Sequence, residues 1–372
     1  VNDVGVSLTA GFPTRLLFLK SLIDSGKLSE IKYVLTLLNI PKCITPKKGE
    51  ELPISYDSIT NPRSTQKEYT IPVWFIKRFM RDNNLYAEVP KYNLTDFYLS
   101  MKSSPSGPAL ISATSIVHTN YDMLQTFLNF SLKRWYMKTY NNLILSDFFN
   151  VFYTFSFNNY DKLPKKVYRD KDPCYHIGRL AVIEAPEGKM RVIATLDYFS
   201  QTILKPIHDE IFRNLRKFKS DRTFTQDPRH DEENDSSFSL DLTAATDRFP
   251  VKLEAKVLKY LFRNEELAKN LYLLVERDYA LPNDFTKSVR YAVGQPMGAY
   301  SSGAFTLTHH LVVAAAYLSG YTTFNNYILL GDDIVIKDDK VAKKYITIMH
   351  KLGVSISVAK THVSKDTYEF AK

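Results

Sequence analysis

Tyr327-Ile328-Leu329-Leu330-Gly331-Asp332-Asp333-Ile334-Val335-Ile336 is the stretch on which the reading of this chain turns. Two short apolar runs flank Gly-Asp-Asp, a pattern that predicts a β-hairpin with Gly331-Asp332-Asp333 as its turn. Carboxylates at a hairpin tip project together into solvent. Upstream, Phe238, Leu240 and Leu242 alternate with Ser239 and Asp241. This alternation predicts a half-buried strand with Asp241 on the face opposite the three apolar residues. Set side by side, the two elements would bring Asp241 and Asp332 within reach of shared cations. Phosphoryl transfer often uses two hard metal ions about 4 Å apart. Carboxylates together with substrate phosphates suit Mg²⁺.

The neighbouring sequence builds a frame for these acids. Pro250 suits the first turn of a helix running to about Phe262. The Gly-rich stretch from Gly294 to Gly303 leads into an apolar helix from about Ala304 to Leu318. His309 and His310 lie on that helix and read as core histidines. A further helix from about Val341 to Leu352 has Gly353 as its natural stop. Val354, Ile356 and Val358 alternate as another strand, and Lys360 follows it. This order predicts a small antiparallel sheet backed by helices, an α+β arrangement.

Farther upstream the signals are broader. Residues 1 to about 160 carry helical periodicity, with Leu17, Leu22, Ile31 and Leu35 among the apolar positions. Ile40 to Arg63 and Ser103 to Pro108 read as loops, and residues 121 to 155 as helices with aromatic faces. Residues 161 to 222 hold 14 Lys and Arg against 9 Asp and Glu, a basic stretch with interleaved aromatics. Within it, Glu184 to Val192 reads as a hairpin that puts Lys189 and Arg191 on one face. An ammonium and a guanidinium there could hold a triphosphate. Gln226 to Ser237 reads as an acidic exposed loop.

Composition sets the outer bounds. The chain has 372 residues and a formal net charge of +9, which favours a polyanionic partner, nucleic acid first. Cys43 and Cys174 are the two cysteines, too few for a disulfide framework or a four-Cys zinc site. Cys174-x-His176 reads as structural. No run of 18 apolar residues occurs, so no spanning helix is expected, and nothing in the sequence names a protein partner. The chain begins with Val1 rather than Met and reads as a fragment.

The linear order of these signals resembles motifs F, A, B, C and D of viral RNA-dependent RNA polymerases. The wording is similar to that of the mitovirus group, in the narnavirus and levivirus-like lineage. Ser239-Leu-Asp-Leu-Thr-Ala-Ala-Thr-Asp-Arg-Phe-Pro250 resembles its motif A. Gly294-Gln-Pro-Met-Gly-Ala-Tyr-Ser-Ser302 with Leu307-Thr-His-His310 resembles motif B. Leu330-Gly-Asp-Asp333 matches motif C. Lys360 to Ser364 and Glu369 to Lys372 resemble motif D running into motif E. The resemblance covers about residues 176 to 372.

The resemblance implies a right-hand polymerase with an antiparallel-sheet palm and helical fingers. Residues 1–160 would be an N-terminal, helical fingers region and 161–240 fingers with the basic hairpin. Residues 241–372 would be the palm core, with the thumb absent from the chain. It implies RNA template and product, nucleoside triphosphates, two Mg²⁺ ions (Mn²⁺ as an alternate) and a host mitochondrial setting. Asp241, Asp332 and Asp333 would serve the metals. Lys189 and Arg191 would grip the triphosphate, and Lys360 would be the acid. Asp247 would sense the ribose 2′-hydroxyl. Gly298 and Ser302 would shape the loop under the nascent base pair. The segment after Ser302 is about one residue shorter than the family pattern. One residue turns a helix by about 100°, which leaves open the residue that partners the ribose. Two alternatives stand beside this reading: a mitochondrial intron-type reverse transcriptase, and a non-catalytic relic that binds RNA.

Overall fold

The computed structural model describes residues 7–9, 12–40, 53–63, 69–90, 102–109, 112–113, 177–185, 189–229, 236–317, 323–357, 360–365 and 367–371. Cys43, Cys174, His176, Val358 and the helices expected over 121–155 lie outside them. The chain divides into two units. The first is Val1–Ser55 with Val182–Val192, and the second is Tyr56–Ala181 with Ile193–Lys372.

In the first unit, β1 (Leu8–Thr9) pairs antiparallel with β2 (Phe12–Pro13). Helices α1 (Lys20–Asp24) and α2 (Leu28–Asn39) follow, and Val34 is fully buried.

The second unit opens with α3 (Asp57–Thr60) and α4 (Val73–Asp82). The loop expected from Ile40 to Arg63 therefore contains a helical turn. Burial of Ile59 anchors it, a tertiary cause that local composition does not carry. Ser103–Ser104 and Gly107–Pro108 form the small hairpin β3–β4. Strands β5 (Gly178–Ala185) and β6 (Lys189–Leu196), whose stretch Val182–Val192 is counted with the first unit, are neighbours in a sheet. Strands β8 (Tyr279–Ala280) and β9 (Ser288–Val289) complete it, in the order β6-β5-β8-β9. Helix α5 (Tyr198–Leu215) starts on Asp197, whose carboxylate accepts from the Ser200 N–H as an N-cap.

The second sheet carries the acids. It has the order β10-β11-β7-β12, with β7 (Ser237–Leu240), β10 (Tyr327–Leu330), β11 (Asp333–Ile336) and β12 (His362–Ser364). Every pairing in it is antiparallel. All four residues of β7 are buried, which corrects the half-buried reading. The strand has a neighbour on each side and side chains covered on both faces, so alternation loses its meaning there.

Helices α6 (Ala245–Arg248), α7 (Val251–Leu261), α8 (Glu265–Val275), α9 (Gly303–Ala316) and α10 (Asp339–Leu352) fill the intervals. Capping explains the bounds of α10. The Asp338 carboxylate accepts from the Val341 N–H at 2.8 Å, and Gly353 takes φ +82 at the far end. Helix α9 is buried along nearly its whole length.

Among the described residues, the strand expected over Val354, Ile356 and Val358 is reduced to a single bridge. Ile356 makes an isolated bridge to Leu242, and pairing resumes at His362 opposite Ser239. Three steps along one chain are thus matched by six on the other. Lys360 belongs to this longer stretch, as an extra residue in a bulge does.

Candidate active site

The hairpin that bears Asp332 is tighter than the sequence pattern indicates. Leu330 pairs directly with Asp333, so the turn is Gly331-Asp332 and Asp333 is already strand. Gly331 has φ +61, the left-handed value that a glycine-first hairpin turn requires. Asp332 is exposed and Asp333 half-buried. Since Leu240 pairs with Ile334, Asp241 and Asp333 stand at the same end of adjacent strands.

Asp241 is held from Ser357 and Lys360. Its carbonyl accepts from the Ser357 N–H at 2.8 Å. The Lys360 ammonium sits 3.4 Å from each of its carboxylate oxygens. Both groups are partly exposed, so the contact adds little to stability; its interest is placement. Among the described residues no three His, Cys, Asp or Glu side chains form a ready metal cluster. The donor chemistry nevertheless fits a hard divalent ion, because carboxylate oxygens are its preferred ligands. The Asp241 carboxylate already turns both oxygens to one cation, the lysine ammonium.

Behind the turn lies a buried hydrogen-bond chain that the core reading of His309 leaves out. His309 Nδ1 is 2.9 Å from the Gly331 carbonyl, and Nε2 is 2.5 Å from the Tyr345 hydroxyl. A carbonyl only accepts, so Nδ1 carries the proton and Nε2 accepts from Tyr345. Burial lowers the His309 pKa to about 3. Burial, and then the charge of Asp332, push the Tyr345 hydroxyl far up. His310 points elsewhere, to the Tyr327 hydroxyl at 2.5 Å and to the Asp221 carboxylate at 2.9 Å. Burial lowers its pKa, against the pull of Asp221. Both imidazoles are buried and fully partnered, as expected of core histidines, yet one of them fixes the turn that carries Asp332.

These histidines set a pH dependence. Their folded pKa values lie below the unfolded value of about 6.5, so the unfolded chain binds the extra protons. Stability is full above pH 6.5 and falls as pH drops through 6.5, by up to about 1.4 kcal/mol per pH unit per histidine. For His309 the loss continues down to about pH 3. Denaturant midpoints at pH 7.5 and pH 5 should differ clearly, and equal midpoints would contradict neutral histidines in the core.

Asp247 lies on α6, away from the Lys360 contact. Its carboxylate Oδ2 accepts from Ser58 Oγ at 2.7 Å. Burial raises its pKa, while the Ser58 bond and Arg248 oppose the rise. The Gly-rich loop presses against the same turn. A Cβ on Gly294 would fall 2.0 Å from the Thr246 carbonyl oxygen, so only glycine permits this backbone contact. Gly298 is exposed with φ +81. Ser302 closes a 3₁₀ turn and donates its N–H to the Ala299 carbonyl at 2.9 Å. Lys189 opens β6, with its side chain outside the described residues. Arg191 is exposed two residues on. Both belong to the first unit.

The model of the mitovirus RNA-dependent RNA polymerase family matches residues 90–372. The chain belongs to this family. The RNA-directed RNA polymerase of Cryphonectria parasitica mitovirus 1 is 40% identical over 206 residues, which are 53% of this chain and 25% of that protein. This mitovirus-family chain thus spans a quarter of the length of that viral relative. An uncharacterized mitochondrial protein of Arabidopsis thaliana is 42% identical over 147 residues, covering 36% of this chain and 57% of its own length. The crystal structure of the RNA-dependent RNA polymerase of a human picobirnavirus aligns with 98% of the chain and 70% of its own. Its TM-score is 0.53 at 16% identity, a likeness of fold. The α+β polymerase fold expected from the sequence is therefore the fold of this mitovirus-family chain. Polymerases of the family work with divalent metal ions on RNA and nucleotides. No helix among the described residues is long and apolar enough to cross a membrane.

Ser58 and the link from His309 to Gly331 are the parts of this site that sequence reasoning missed. A serine in a Pro- and Lys-rich stretch carries no signal of a partner 189 residues away.

Proposed function

We propose that the chain is the catalytic part of an RNA-dependent RNA polymerase that adds nucleotides from triphosphates to an RNA 3′ end. The observation that carries this reading is the sheet end where Asp241, in contact with Lys360, stands beside Asp333 and the turn of Asp332. Asp241, Asp332 and Asp333 would hold two Mg²⁺ ions, or Mn²⁺ in their place. When bound, such ions activate the attacking hydroxyl and steady the leaving oxygen. Lys360 gives its proton to the pyrophosphate oxygen as the bond to the α-phosphorus breaks. Lys189 and Arg191 grip the triphosphate, Asp247 reads the ribose 2′-hydroxyl, and Gly298 and Ser302 shape the loop beneath the nascent pair. We assign the palm to 241–372, the basic fingers segment to 161–240 and the helical fingers region to 1–160. The template is RNA of a mitovirus-like genome, in a host mitochondrion.

The test is incorporation of labelled ribonucleotides on a primed RNA template with Mg²⁺. Template-dependent extension is expected, and its absence at every metal and template tried would end the reading. Lys360→Met should slow extension by about a hundredfold, the scale of a lost proton donor, with template affinity near the parent's. Unchanged extension by this variant would remove Lys360 from the chemistry.

A further inference from the structure

We propose that Ser58 is a positioning residue for ribose selection, supplied from a segment outside the part of the chain that the family model matches. The inference rests on the reading of Asp247 as the ribose sensor. The family match begins at residue 90, and Ser58 lies on α3 well before it.

Several bonds tie α3 to the Asp247 turn. Ser58 Oγ donates to Asp247 Oδ2 at 2.7 Å. The next residue, Arg248, holds the same segment through its backbone. Its Nη1 donates to the Asn61 carbonyl at 2.6 Å and the Ser58 carbonyl at 3.3 Å, and Nη2 donates to the Pro62 carbonyl at 3.0 Å. From the loop before Gly294, the Ala292 N–H donates to the Ile59 carbonyl at 2.8 Å. Ile59 is 1% exposed, so α3 is anchored by packing as well as by bonds. A hydroxyl held this firmly fixes the rotamer of the carboxylate it touches.

The consequence concerns the other oxygen. With Oδ2 engaged by Ser58, Oδ1 is the oxygen left to meet a substrate hydroxyl. The shortened segment after Ser302 left the ribose partner open from sequence. The hydroxyl seen on Asp247 comes from α3, in Ser58. A 2′-hydroxyl presented to a pre-aimed carboxylate is bound without the cost of ordering it. A 2′-deoxyribose offers that oxygen no donor.

The experiment measures the ratio of kcat/KM for ATP over 2′-deoxyATP in single-nucleotide extension, with Ser58→Ala, Ser58→Thr and Asp247→Ala in parallel. Ser58→Ala should lower the ratio about tenfold, the scale of one lost bond to a charged group. The loss should fall on ATP, with 2′-deoxyATP nearly unchanged. Ser58→Thr keeps the hydroxyl and should restore most of the ratio. Equilibrium titration with the same two nucleotides reads the same preference without turnover. A parental ratio in Ser58→Ala, alongside a collapsed ratio in Asp247→Ala, would overturn the role of Ser58 alone. A parental ratio in Asp247→Ala would overturn the ribose reading beneath it. Equal losses for both nucleotides in Ser58→Ala would mark a merely structural contact and overturn the proposal.

Discussion

Asp332→Ala is expected to abolish templated nucleotide incorporation while salt-sensitive RNA retention stays close to the parent's. Asp332 is exposed in a two-residue turn, so its truncation opens no cavity and exposes no core. The Gly331 carbonyl keeps its bond to His309, and the turn keeps its shape. What is lost is one carboxylate at the sheet end. Metal-held charge in such a site is worth several kcal/mol of transition-state stabilisation, and each 1.36 kcal/mol is about tenfold in rate. A fall of about a thousandfold or more follows. The net charge of +9 is expected to retain RNA without this acid, with a salt dependence that reports phosphate contacts. Matching incorporation by variant and parent would withdraw Asp332 from the reaction.

Arg277→Ala should lower stability by about 3–5 kcal/mol. Arg277 and Asp197 are 2% and 0% exposed. Nη1 donates to Asp197 Oδ2 at 2.7 Å and to the Ile177 carbonyl at 2.9 Å, and Nη2 donates to Ser200 Oγ at 2.8 Å. Ser200 in turn donates its hydroxyl to the same carboxylate at 2.6 Å. Removing the guanidinium strands a buried carboxylate that also caps α5. Lysine would not rescue the site, since one ammonium cannot reproduce the planar fork. A thermal midpoint lower by about 10 °C is the expected reading. A midpoint within a degree or two of the parent's would mean that water or a neighbour compensates.

The parts of the molecule legible in sequence are those governed by local rules. The Gly331 hairpin, the start of α7 after Pro250 and the stop of α10 at Gly353 each depend on residues a few positions apart. Asp241 and the Gly-Asp-Asp pair could be found because strand and turn signals surround them. Long-range pairing hid the rest. The place of β7 inside the sheet depends on β11 and β12, strands far along the chain. The place of Lys360 depends on a three-residue mismatch between two bridges. The Ser58 contact joins segments that share no sequence pattern, and the partners of His309 lie on a turn and on a different helix.

Helix α9 has a mechanical meaning beyond filling the core. It begins at the loop that ends in Ser302, and its seventh residue, His309, grasps the Gly331 carbonyl. That span is about 9 Å of α-helix, stiff along its axis. The loop and the acidic turn are therefore tied through one short rigid element. On the proposed reading, the loop beneath the nascent pair and the turn that carries Asp332 are joined through this one short element, so a change in either is expected to be felt at the other.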